Sequence, residues 1–528
     1  MATPPDALVR EQVGAALRVG DVAEAERLLR ARIAKVPNDV DAGAALADIL
    51  AQNGRIPEAT ELLHRMLALA PDAHSIRLQL SALHQDQSHF PIALMLLHEV
   101  PAAMRNSFEL KAREAALLGS LGRRDEEIAI YRQLVKQRQR DPHLWMSLGT
   151  ALNYAGRIDE AVKALRRSIK LAPAFGEPWW SLANLKRFRF DERDVAAIKV
   201  ALRGNLSPVD ALHFHFALGR GLEQRGEYEQ SFDHYSAGNR LRAAGLRPEQ
   251  AGVTGFVDAA IATFAAPLFD HYKDAGCPEE GPIFVVGLQR SGSTLIEQIL
   301  ASHPEIEGTA ELMTMQNLWE ELAALGAGNG RSPFEQIRHS EPALFRRIGE
   351  EYLARTRSYR LERKRFFIDK LPANWMNVGL IRLALPNAKI IDARRHPMAC
   401  GFSNFKQHYA TGVTFAYSLE SIGRFYRDYL RLMHHFDAVQ PGTVLHVINE
   451  RLIDDPEREV RRMLEHIGVA FDPACLEFHA NKRAVHTPSA EQVRRPINRE
   501  GVDAWRNYEP WLAPLRDALG PALDNWQD

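Results

Sequence analysis

Cysteine is scarce in this chain. The three that occur in 528 residues (Cys277, Cys400 and Cys475) are far apart and form no C-x-x-C pair. That excludes a disulfide framework and a zinc site of the usual spacing, and it points to a reducing, cytoplasmic compartment. No apolar run reaches the roughly 18 residues a membrane span needs, and the opening MATPPDALVREQVG lacks the basic-then-apolar pattern of a signal peptide. Charge of one sign is also missing. The net charge of -1 gives no global pull toward nucleic acid or anionic lipid, so any anion site must be local. The most informative absence is a single lysine. The stretch IFVVGLQRSGSTLIEQIL, Ile283 to Leu300, reads as a β-branched strand, a glycine-bounded turn and a helix. Against the phosphate-loop pattern G-x-x-x-x-G-K-[ST], Gly287, Gly292 and Thr294 fit, but Ser293 stands where the lysine belongs.

What is present first is a repeat. Gly20, Gly54, Gly122 and Gly156 share a 34-residue register, with Ser88 in the missing slot. Five positions after each comes Ala25, Ala59, Ala93 or Ala161, with Glu127 as the exception, and Pro37, Pro71 and Pro173 close second helices. The pattern resembles the tetratricopeptide repeat: glycine permits the turn, alanine lets two helices approach, and proline ends the second. A degenerate copy follows around Gly226. Such an array predicts an α-solenoid whose concave face takes an extended peptide or another protein, the acceptor or an adaptor. Support of the following domain, or self-association into a homo-oligomer, are its alternative uses.

After Leu246 the texture changes. PEQAGVTGFVDAAIATFAAPLFDHY reads as a connecting helix and KDAGCPEEGP as a polar linker. Short apolar strands then alternate with helices: Ile283–Gly287, Phe366–Asp369, Lys389–Ala393 and Thr443–Asn449. The expected organisation is a solenoid over 1–246, a connector over 247–281, and a P-loop-like parallel α/β domain over 282–528, with ligands at the carboxyl ends of the strands.

A glycine-rich loop at a helix N-terminus binds anions through its N–H groups whatever its side chains are. The Walker lysine serves the outer phosphates of a nucleoside triphosphate, and the following hydroxyl holds magnesium. A loop without that lysine, with Arg290 inside it, suits an anion lacking a γ-phosphate and without metal. The segment QRSGSTLIEQILASHPEIEGTAEL resembles the phosphosulfate loop of sulfotransferases, nearest the tyrosylprotein branch and bacterial proteins that fuse tetratricopeptide repeats to such a domain. The family's donor is 3′-phosphoadenosine 5′-phosphosulfate. The resemblance implies that Arg290, Ser291, Gly292, Ser293 and Thr294 hold the 5′ end of that donor.

The resemblance extends to further stations in one order. Glu311, shortly after His303-Pro304, takes the place of the base that deprotonates the acceptor. Lys370, in FFIDKLPANW, takes the place of the lysine that contacts the transferring group. Arg395, 25 residues on, and Ser403, eight further, resemble the pair that binds the 3′-phosphate. SAEQVRRPINREGVDAW resembles the loop that folds over the donor. It implies Ser489 near the sulfuryl group, with Gln492, Val493, Arg494, Arg495, Pro496, Ile497 and Asn498 along the nucleotide. Taken alone, Arg394-Arg395 reads as a solvated turn. Asn449 stands where the family has a tyrosine, and Met313 where protein-tyrosine enzymes have an arginine that reads acidic peptides. The implied activity is sulfuryl transfer to a hydroxyl on a protein or peptide. The rivals are a peptide scaffold with an inactive nucleotide domain, a Mg-ATP kinase and a repeat-bearing glycosyltransferase.

Overall fold

The computed structural model describes residues 4–185, 187–246, 253–409, 413–481 and 492–528. It divides into two compact units, Met1–Gln139 and Arg140–Asp528. The first is a run of helix pairs: Pro4–Arg18 with Val22–Lys35, Val40–Gln52 with Ile56–Leu69, His74–Asp86 with Phe90–His98, and Phe108–Ser120 with Arg124–Gln137. Gly20, Gly54 and Gly122 turn between paired helices at φ of 76–77°, and Ser88 adopts the same left-handed conformation at 60°. Ala25, Ala59 and Ala93 are fully buried where the helices meet. Glu127 occupies that slot in the fourth pair. A β-carbon on Gly119 would lie 2.6 Å from the Glu127 carboxylate, so the glycine makes room for it, and Arg124 pairs with it at 2.5 Å.

In the second unit the pairing continues. Pro142–Tyr154 packs on Ile158–Leu171 around Gly156, and Pro208–Gln224 on Tyr228–Ala243 around Gly226. Ser231 fills the small-residue slot and donates to the Gly219 carbonyl at 2.7 Å. Helices Thr254–Thr263 and Ala266–His271 lead onward. The stretch expected as a polar linker is not free at its centre: Cys277 is buried and its N–H bonds the Ala384 carbonyl at 2.8 Å.

Five parallel strands follow: β1 (Pro282–Gly287), β2 (Ile306–Gly308), β3 (Phe366–Asp369), β4 (Lys389–Arg394) and β5 (Val444–Ile448), in the order β2-β3-β1-β4-β5. Four were expected; the three-residue β2 was not. Alternation within each apolar run separates two cores. Phe284, Val286 and Phe367 face one, and Ile283, Val285 and Ile368 face the other with Val460 and Met463. The first core runs without a break from Leu165, Trp180 and Phe216 in the repeats to Trp526 near the end. The chain builds β2 and β3 on one side of β1 and then crosses to β4 on the other, so the crevice above β1 and β4 is the topological switch point.

Candidate active site

The site begins where β1 ends. Gly287 has φ 130°, and a β-carbon there would lie 2.5 Å from the Ala393 carbonyl of β4. Only glycine lets the two strands stay this close at that point. Arg290 and Gly292 turn the loop with φ of 70° and 103°, and the helix Ser293–Leu300 starts at once. A β-carbon on Gly292 would lie 2.6 Å from the Asn449 side-chain oxygen, so Asn449 closes the loop's far side. Ser291, Ser293 and Thr294 are buried, and the Ser291 hydroxyl has no hydrogen-bond partner among the described residues.

The residues after β4 converge on this loop. Arg290 Nε donates to Ser403 Oγ at 3.1 Å, while Arg395 donates to the Arg290 carbonyl at 3.3 Å and to the Gly501 carbonyl. Burial, with Arg290 nearby, lowers the Arg395 pKa, and its Nε has no partner among the described residues. Arg394 corrects the solvated-turn expectation. It is buried, bonds Asp392 at 2.7 Å and the Trp526 carbonyl at 3.1 Å, and belongs to a network in which His446 bridges Asp392 and Asp437, each at 2.9 Å. The β4–β5 register sets His446 opposite Asp392, while Asp437 and Trp526 come from a helix and the C-terminal end, and sequence spacing displays none of this.

These residues line a cleft of about 630 Å³. Its walls carry six cations (Arg189, Arg220, Arg290, Arg395, Lys406 and Arg495) against two carboxylates, Glu223 and Glu500, in a chain of net charge -1. Gly292, Ser293, Thr294, Ser403, Val493, Pro496, Ile497 and Asn498 also line it. Ser291 is buried and not among the lining residues, and Arg494 points elsewhere: a β-carbon on Gly156 in the repeats would lie 3.6 Å from its guanidinium. Ser489 and the Gln492 side chain lie outside the described residues.

Glu311 and Lys370 are not in that wall but are brought together beside it. Lys370, only 2% exposed, donates to Glu311, whose side chain is 44% exposed, and lies 3.8 Å from Glu297 one turn into the loop helix. Burial pushes the Tyr409 phenol up; Arg290 pulls it down and Glu311 adds to the rise, so this ring feels both sides of the site. Burial also pushes Asp369, next to Lys370, up to about 8, against the hydrogen bonds from Tyr352 and the Leu312 N–H. Sequence reasoning missed Lys406, Arg220, Glu223 and Trp180. Lys406 had a faint signal, one helical turn after Ser403; the repeat residues had none.

Residues 282–473 match the model of the sulfotransferase family, and 16–83 and 113–174 match tetratricopeptide-repeat models. Over 327 residues the chain is 31% identical to an uncharacterised Aquifex aeolicus protein, covering 59% of this chain and 43% of that one. It is 24% identical to nodulation protein NoeE of Sinorhizobium fredii, covering 44% of this chain and 60% of that protein. It is also 26% identical to a Caenorhabditis briggsae protein provisionally named a protein-tyrosine sulfotransferase, with 42% and 80% covered. The chain thus spans less than two thirds of the first two relatives. Among solved structures, the sulfotransferase domain of the Synechococcus PCC 7002 olefin synthase is 26% identical, covers 43% of this chain and 88% of that one, and has a TM-score of 0.33. The chain joins tetratricopeptide repeats to a sulfotransferase-family domain. No helix among the described residues is long and apolar enough to cross a membrane.

Proposed function

We propose that this domain transfers a sulfuryl group from 3′-phosphoadenosine 5′-phosphosulfate to a hydroxyl, on a protein or peptide of the tyrosine type. The observation that carries the reading is the convergence of a lysine-free anion loop, the Arg290–Ser403 bond and Arg395 on one cationic cleft. One polar group of a lining residue, Arg395 Nε, has no protein partner among the described residues, nor does the Ser291 hydroxyl in the loop beside the cleft, and both suit a polyanionic nucleotide.

In this account the acceptor oxygen attacks sulfur in line. The new O–S bond forms as the bond from sulfur to the 5′-phosphate oxygen breaks, and adenosine 3′,5′-bisphosphate leaves with the extra negative charge. Glu311 takes the acceptor proton, a contribution of about 10²–10⁴-fold. Its exposed carboxylate is reachable by a side chain carried on a large acceptor. Lys370, aimed by Glu297 and Glu311, and Arg290 stabilise charge as it moves to the leaving group. Arg395 and Ser403 fix the 3′-phosphate. The repeats present the acceptor protein or an adaptor that carries it.

The test is transfer of sulfur-35 from labelled donor to tyrosine-containing peptides by the purified chain. The expected result is labelled peptide and one equivalent of adenosine 3′,5′-bisphosphate. Labelled peptide formed equally well by Glu311→Gln would remove Glu311 as the base, and turnover of Mg-ATP in place of this donor would overturn the reading.

A further inference from the structure

The repeats and the catalytic domain meet at a charged cluster in the wall of the cleft. Lys406 caps the helix Pro397–Phe405, one turn beyond Ser403. Its ammonium donates to Glu223 Oε1 at 2.6 Å and lies 5.1 Å from the Phe402 ring centroid and 5.8 Å from that of Tyr508. Glu223 belongs to the repeat helix Pro208–Gln224. Its other oxygen accepts from Arg220 at 3.0 Å and from the Tyr235 hydroxyl at 2.9 Å. Both oxygens of this carboxylate are therefore used within the protein, and two cations share one anion. Glu223 is held down to about 2 although burial alone would raise it, because Lys406 and Arg220 lie against it.

Such a cluster is more than a strut between domains. A strut needs one cation per carboxylate, and the second leaves a net positive charge in a desolvated wall. Arg290, Arg395 and Ser403 line the same cleft as Arg220, Glu223, Tyr235 and Lys406. Lys406 is also close enough to Arg290 for the two cations to repel, a repulsion that a bound anion relieves.

Building on the donor reading above, we infer that Lys406, positioned by the repeat residues Glu223 and Arg220, is a further ligand of the donor's 3′-phosphate. The last repeat is then part of the nucleotide site, and selection of a 3′-phosphorylated nucleotide depends on it. Lys406 is the binding residue, and Glu223 and Arg220 are positioning residues that act through it.

The test is calorimetric titration of the full chain with adenosine 3′,5′-bisphosphate and with adenosine 5′-monophosphate, which differ only in the 3′-phosphate. Lys406→Met keeps most of the apolar stem. It is expected to weaken the bisphosphate by about tenfold or more, the size of one charge-assisted hydrogen bond, while changing the monophosphate by less than about twofold. Lys406→Arg should recover most of the preference, and Glu223→Gln should lose part of it. A Lys406→Met chain that keeps the wild-type ratio of the two affinities overturns the inference. Should Lys406→Met lose both nucleotides through misfolding, Glu223→Gln decides: an unchanged ratio overturns the inference and a reduced one supports it. Absence of any bisphosphate preference in the wild type overturns the donor reading itself, and this inference with it.

Discussion

Glu311 and Lys370 hold each other, and each has a different reason to be where it is. Lys370 is fixed at the end of β3, buried beside Asp369, whereas Glu311 reaches it from the segment after β2 with its side chain half open to solvent. Replacing Glu311 by Gln preserves shape and removes the carboxylate proposed as the proton acceptor. Turnover is expected to fall by about 10²–10⁴-fold, with bisphosphate affinity changed by less than about threefold, measured by single-turnover assay beside calorimetry. Comparable losses in both would make Glu311 a binding residue. At this scale the sequence was readable where a residue's position is tied to a strand end, as for Lys370 after β3 and Arg395 after β4. It was unreadable where the partner comes from a distant element. Arg394 shows this: Asp392, two residues away, was in view, but His446 and the Trp526 carbonyl reach it only through strand register and the folding back of the C-terminal helix.

Among elements, the strand–loop–helix around Gly287 and Gly292 is tightly constrained. Both positions need left-handed or near-forbidden backbone, and at Gly287 the obstruction is the β4 backbone. Gly287→Ala is expected to cost at least about 1–3 kcal/mol, read as a fall in the melting temperature of the Arg140–Asp528 unit. Unchanged melting would mean that β1 and β4 can separate without penalty. The β4–β5 pair carries a pH dependence. Burial acts to lower the His446 pKa, but its bonds to Asp392 and Asp437 outweigh that and raise it above 6.5. Folding therefore takes up a proton. The stability from this group is complete below the unfolded value, and it is lost as pH rises through the raised folded value. His446→Gln should flatten the melting temperature over that interval, and an unchanged slope would assign the titration to another group. The strands of four or more residues announced themselves. The three-residue β2 did not, because it is too short to show a period and follows a His-Pro turn.

For the whole molecule, the repeat register predicted the helices well, including Ser88 standing in for glycine. It did not reveal that the last repeats share one core with the α/β domain, since a helix face reads as apolar whether a repeat or a sheet covers it. Tyr508 meets Ser231 at 2.9 Å and the Phe405 carbonyl accepts from Asn239 at 2.8 Å, so these contacts are polar as well as apolar. A chain starting at Arg140 is expected to fold and bind nucleotide within about threefold of the full chain, because it keeps a complete core. One starting at Pro282 would expose Phe402, Phe405 and Tyr508 and should be insoluble or molten by near-ultraviolet circular dichroism. A folded, nucleotide-binding 282–528 fragment would contradict the shared core. The central claim, a donor site for a 3′-phosphorylated nucleotide without a triphosphate, is tested most directly by calorimetric titration with adenosine 3′,5′-bisphosphate, ADP and Mg-ATP, in wild type and Arg395→Ala. The account predicts that the bisphosphate binds most tightly and that this preference disappears in Arg395→Ala. Tighter binding of Mg-ATP, or a preference that survives the loss of Arg395, would contradict it.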